Sequence, residues 1–236
     1  MTNAEEPLPV DAALYPDVAE MGGLPAALAA VAARDGAGVG EIVAGGFHRN
    51  VAVALMSDRG RVTVTLVVDR RVFSIRVVVD GYDWAAGGAS SLSDVVGVAA
   101  AWRGGATLRQ LCAAFPFMTT DPVALGYEAG DPLGAYWEVN LTDPELTEVR
   151  PLLRAARRHP RLSGLFPRVS HLTLARFALD ERDRSQGEVR VLVTRDGHYR
   201  VDSSWVDESQ TVESIDEAIA LAAAQLPAEP SVEEHK

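Results

Sequence analysis

The chain has 236 residues, 47% of them hydrophobic and 23% charged, with a formal net charge of −11 and one cysteine, Cys112. That mix is globular and excludes whole-chain disorder, an intramolecular disulfide and a thiolate metal cluster. The acidity argues against a protein that tracks nucleic-acid phosphates or docks on an anionic membrane, and no apolar stretch approaches the length of a bilayer span.

The segment Met1–Glu20 has no basic start followed by an apolar run, so it does not read as a secretory signal, and a cytoplasmic location is the simplest expectation. Residues 1–20 are expected to be a flexible N-terminus. Residues 21–117 then read as helix, three strands, helix. Leu24, Leu28 and Val31 recur at helical spacing behind Pro25, which suits a first turn. Three runs alternate apolar and polar positions: Val51–Met56, Val62–Val68 and Phe73–Val79. Ser57-Asp58-Arg59-Gly60 is a hairpin signal, and connections this short require antiparallel pairing. A helix through Leu92, Val95, Val96 and Ala99 follows, with Ser91 or Ser93 as its cap; a shorter one is capped by Thr107.

Residues 118–144 are expected to be an irregular connector with helical turns near 123–128 and 133–139. The second half, 145–227, repeats the order of the first. A helix spans about 145–159, three strands carry Leu172–Ala178, Val189–Val193 and Tyr199–Trp205, and a last helix carries Ile215–Leu226. Asp180–Gly187 reads as a charged, mobile tip, Asp196-Gly197 as a hairpin, and 228–236 as a disordered tail. The fold class is therefore α+β, two antiparallel three-stranded meanders flanked by helices, in a pattern that suggests an internal duplication.

Reactive constellations are sparse. Gly36–Gly40 is glycine-rich, but it does not link strand to helix in a βαβ unit, so no nucleotide cofactor is expected. Five histidines lack ligand spacing, so no metal is expected. Ser170-His171 joins a hydroxyl to an imidazole, but neighbours on a strand face opposite ways. These two, with His48, are the candidate catalytic residues of a composite site. Cys112 reads as a small hydrophobe. The arginines between Arg150 and Arg161 read as the solvated face of a helix. Trp84, Trp102, Arg103, Tyr136, Trp137 and Trp205 are the candidate binding residues; three of the four tryptophans are expected to pack in the core or between helices, one exposed in a concave region would serve as a contact anchor, and Tyr136-Trp137 falls in the connector, where contact sites often lie.

Four segments carry a resemblance. They are Leu14-Tyr15-Pro16-Asp17-Val18; Ala101-Trp102-Arg103-Gly104-Gly105 with Leu108, Leu111 and Pro116-Phe117; Arg161-Leu162, Leu165-Phe166-Pro167 and Ser170-His171; and Tyr199-Arg200-Val201 with the helix through Ala218 to Pro227. In order and spacing the chain resembles an actinobacterial family of natural product biosynthesis proteins labelled domain of unknown function 6193. The resemblance implies a place in specialised-metabolite gene clusters and no defined reaction. The leading expectation is a non-catalytic accessory protein binding a biosynthetic enzyme, a carrier or a peptide intermediate. An enzyme built around His171 and a self-protection protein binding a toxin are the alternatives.

Overall fold

Apolar side chains at alternate strand positions and at helical spacing build two separate cores. The computed structural model describes residues 8–45 and 48–228, and the chain divides into two units, Met1–Glu128 and Ala129–Lys236.

In the first unit, α1 (Pro16–Glu20) and α2 (Leu24–Arg34) precede β1 (Glu41–Ala44), β2 (Ala52–Ser57), β3 (Gly60–Leu66), β4 (Phe73–Val79) and β5 (Tyr82–Ala89). Then come α3 (Leu92–Arg103), α4 (Leu108–Ala114), β6 (Met118–Thr120) and α5 (Pro122–Ala129). The sheet runs β1-β2-β3-β4-β5-β6 in chain order, each neighbouring pair antiparallel. Val62, Val64, Phe73, Ile75 and Val77 are buried on one face, which α2 and α3 cover. Each such fully buried side chain contributes roughly 1.5–3 kcal/mol. Ser91 caps α3 by accepting the Asp94 N–H, and Thr107 with Gln110 closes a capping box on α4.

The second unit contains α6 (Pro132–Thr142), α7 (Arg150–Arg158), α8 (Pro160–Ser163), β7 (Phe166–Ser170), β8 (Leu174–Ala178), β9 (Glu188–Val193), β10 (Tyr199–Ser203), β11 (Gln210–Val212) and α9 (Ile215–Ala224). Its sheet is ordered β11-β10-β9-β8-β7, again antiparallel throughout. Trp137, Leu152, Leu153, Phe177, Val191, Val201 and Ala218 form its core. A capping box of Ser214 and Glu217 starts α9.

The α+β class is as the sequence reads, but the sheets have six and five strands where three each were expected. The six expected strands are β2, β3, β4, β8, β9 and β10. The others carry weak sequence signals. β6 and β11 are three residues long, and β5 is rich in Ala and Gly. β7 contains Pro167, which a sheet accommodates on an edge strand because no N–H is needed there.

The N-terminus departs from its expected flexibility between residues 8 and 20. Tyr15 is 1% exposed, and its hydroxyl lies 2.8, 2.9 and 2.8 Å from the carbonyl oxygens of Val67, Arg70 and Val72. The same hydroxyl accepts the Val72 N–H at 3.0 Å. Arg71 donates to Asp17 at 2.8 and 2.9 Å. Tyr15 and Val18 thus anchor the segment to the first core. The stretch 118–144 is more regular than an irregular connector, since β6, α5 and α6 occupy it. Residues 1–7 of the expected flexible start, and the expected disordered tail from 229 on, lie outside the described residues. No helix among the described residues is long and apolar enough to cross a membrane.

Candidate functional site

Strand alternation sends Ala175, Phe177, Val189, Val191 and Val201 into the second core, so their neighbours must face outward. On that outer face Arg168 pairs in register with Arg176, Arg176 with Arg190, and Arg190 with Asp202. Three guanidinium groups therefore stand side by side across β7, β8 and β9. Like charges directly opposite one another destabilise a sheet. Carboxylates offset this. Arg176 Nε donates to both oxygens of Glu188, at 3.2 and 3.1 Å. Arg190 lies 2.5 Å from Asp202, and Arg168 lies 3.9 Å from Glu181. The side chains of Glu181 and Glu188 are only 7% and 10% exposed, so these charge-assisted contacts are shielded from water.

The row continues onto α6. Tyr136 packs edge-on against Phe166, its hydroxyl donates to Glu181 at 3.2 Å, and the Arg168 guanidinium sits 5.8 Å from its ring centre. The loop 180–187, expected to be a mobile tip, is tied down at Glu181 by Tyr136, Arg168 and Arg182. Within it the Ser185 hydroxyl and backbone N–H hold the Asp183 carboxyl below the usual range. Towards β10, Arg190, Arg200 and Asp202 line a groove of about 520 Å³ with Leu174, Leu192 and Val206. The Arg200 side chain is 52% exposed and lies 4.0 Å from Asp202.

The first unit has its own groove, about 670 Å³, between the loop after α2, the β2–β3 turn and the carboxyl end of α3. Arg59 is fixed there. Its Nη1 donates to the Trp102 and Ala106 carbonyls at 2.7 and 2.9 Å, and its guanidinium lies 3.9 Å over the Trp102 ring. This places a cation at the negative end of the α3 dipole.

The residues singled out from sequence are dispersed. His171 lies in the turn between β7 and β8, exposed, with φ 52°, and Ser170 ends β7. The pair was expected to lead into a strand; instead it follows one, because Phe166–Ser170 is itself a strand and β8 begins only at Leu174. His48 sits in a helical turn between β1 and β2 of the first unit, whereas His171 belongs to the second. Trp102 and Trp137, expected as contact residues, are 1% exposed and serve packing. Trp137 is on a helix, stacks on Phe177 with ring centres 6.0 Å apart, and donates its indole N–H to Ser163 at 3.0 Å. Half-buried Trp84 meets Trp102 edge-on and stacks on Tyr127. Half-buried Trp205 packs over Gly187, where a Cβ would come within 2.4 Å of its ring and where φ is +95°. Arg103 lines the first groove, and Tyr136 joins the arginine row. Burial pushes the Cys112 thiol up, away from thiolate character. Among the described residues no group of three or more His, Cys, Asp or Glu is placed to hold a metal ion.

Sequence reading passed over Arg168, Arg176, Arg190 and Arg200. Each occupies an ordinary polar position of an alternating strand; only the register makes a row of them. The signal available was Arg recurring at the solvent positions of successive strands.

Residues 135–233, nearly all of the second unit, match the model of a family of unknown function (DUF6193). No curated protein and no solved structure matches the chain.

Proposed function

We propose that the protein is an accessory binding component of a specialised-metabolite biosynthetic cluster of actinobacterial type, working in the cytoplasm. Its second unit docks the acidic face of a partner: a biosynthetic enzyme, a carrier or a peptide intermediate. One observation carries the docking reading, the registered row of Arg168, Arg176 and Arg190 on a chain of net charge −11. The buried carboxylates brace the guanidinium groups before a partner arrives, which lowers the ordering cost of association. Arg is suited to such a surface because its planar donors meet carboxylates two at a time. Arg190 and Arg200 are the arms most open to a partner, at 40% and 52% exposure. The biosynthetic setting rests on the sequence resemblance.

The test is retention of proteins encoded beside the gene on immobilised full-length chain. An acidic partner is retained at low salt and released as salt rises. The double variant Arg190→Glu/Arg200→Glu lowers its affinity by at least about tenfold. Equal retention by wild type and variant would remove the arginine row from the interface. Absence of any retained cluster protein would sink the accessory role.

A further inference from the structure

The groove of the first unit holds charges of both signs that leave one another alone. Arg103, Glu41 and Asp58 all line it and are all exposed. None of the three makes an ion pair or a side-chain hydrogen bond with a described residue. Arg59, by contrast, is consumed by the Trp102 and Ala106 carbonyls and by the indole beneath it.

The backbone packs closely at the edge of this groove. Gly40 has φ +81°, and a Cβ there would sit 2.0 Å from the Met56 carbonyl oxygen. A Cβ on Gly38 would sit 2.9 Å from an Arg103 guanidinium nitrogen. Gly40 therefore lets the chain enter β1 against the Met56 carbonyl, and Gly38 lets the loop after α2 lie against Arg103.

A simple anion entering the groove meets two carboxylates and the negative end of the α3 dipole. A simple cation meets the unpaired guanidinium. A molecule carrying both charges satisfies every group. We propose that the groove binds a zwitterionic small molecule of the amino-acid or short-peptide type, its carboxylate on Arg103 and its ammonium at Glu41 and Asp58. A volume of about 670 Å³ leaves room for more than one residue of such a ligand. The site uses none of the residues of the arginine row, so its test stands apart from that of the docking reading.

The test is an NMR titration of the isotope-labelled full chain with three probes: the dipeptide Ala-Ala with free ends, its N-acetyl form and its C-terminal amide. The free dipeptide gives saturable shifts at the amides of Gly38, Gly40, Asp58, Arg59 and Gly104. Blocking either end weakens binding by about tenfold or more, the worth of a hydrogen bond to a charged group. Arg103→Ala, at an exposed position, keeps the fold and loses the preference for a free carboxylate. Asp58→Asn with Glu41→Gln loses the preference for a free ammonium. Equal response to all three probes, no saturable shift with any of them, or wild-type affinity in Arg103→Ala would each overturn the proposal.

Discussion

The two units lay down five consecutive antiparallel strands and then a serine-capped helix, starting after Ser91 in one and Ser214 in the other. Across the middle of the first sheet, Ala54, Thr63, Arg76 and Ala86 stand in register on the outer face. In the second sheet the corresponding outward row reads Arg168, Arg176, Arg190 and Asp202. The inner rows are alike because both must be apolar to bury a core. The outer rows are free of that demand and differ, one small and largely neutral, the other densely charged. In the first unit the charges of the groove lie instead at a helix end, in a turn and at the start of a strand, at Arg103, Asp58 and Glu41. A shared layering thus leaves each unit a different place for chemistry.

The strongest way to break this comparison is to remove a core side chain from one unit. Trp137→Ala is expected to destabilise the second unit by roughly 3–5 kcal/mol, the usual cost of emptying a buried aromatic site. Hydrogen exchange would then lose protection at Phe177, Val191 and Val201 while Ile75 and Val95 stay protected. Joint loss in both sets would mean that the two cores unfold as one.

A smaller effect tests the first unit. Tyr15→Phe removes the hydroxyl that serves the Val67–Val72 hairpin and should cost about 1–3 kcal/mol, because the groups left behind are partly buried. Denaturant unfolding should place the whole loss in the transition that reports Ile75 and Val95. An unchanged midpoint would return the N-terminus to a peripheral role.

The smallest effect sharpens the contrast by pH. Hydrogen bonds from Arg71 hold the Asp17 carboxyl below its ordinary range, outweighing the opposing push of burial. A depressed folded-state pKa means stability that is full above the unfolded-state value and lost as pH falls through the folded one. Asp17→Asn should therefore be less stable than wild type at neutral pH, by under about 1 kcal/mol since the pair is partly exposed. The difference should close in acid. A gap that persists after the carboxylates are protonated would assign the loss to something other than this ion pair.

Much of the fold was legible because central strands leave a clean signature. β3 and β9 are flanked on both sides and alternate buried with outward residues, so Val62, Val64, Val189 and Val191 announce themselves. The helix cap at Thr107 was equally plain, and that of α3 was narrowed to Ser91 or Ser93, of which the structure uses Ser91. The marginal strands were not legible: β5, β7 and β11 hold their places through a neighbour's hydrogen bonds, with little help from propensity. The sites were less legible still. Tryptophan content drew attention to Trp102 and Trp137, which pack inside, while the arginines that share a face are far apart along the chain.

The amino-acid order by itself determined the α+β class, the antiparallel hairpins at Ser57–Gly60 and Asp196-Gly197 and the starts of α2, α3 and α4, because these depend on side chains a few residues apart, whereas the helix expected from about 145 begins at Arg150. Tertiary structure alone decided that Arg168, Arg176 and Arg190 form one row, that Arg103 faces a groove with Glu41 and Asp58, and that Tyr15 anchors the N-terminal segment. Those outcomes depend on strand register and on which loop meets which helix end, and local sequence periodicity carries no record of either.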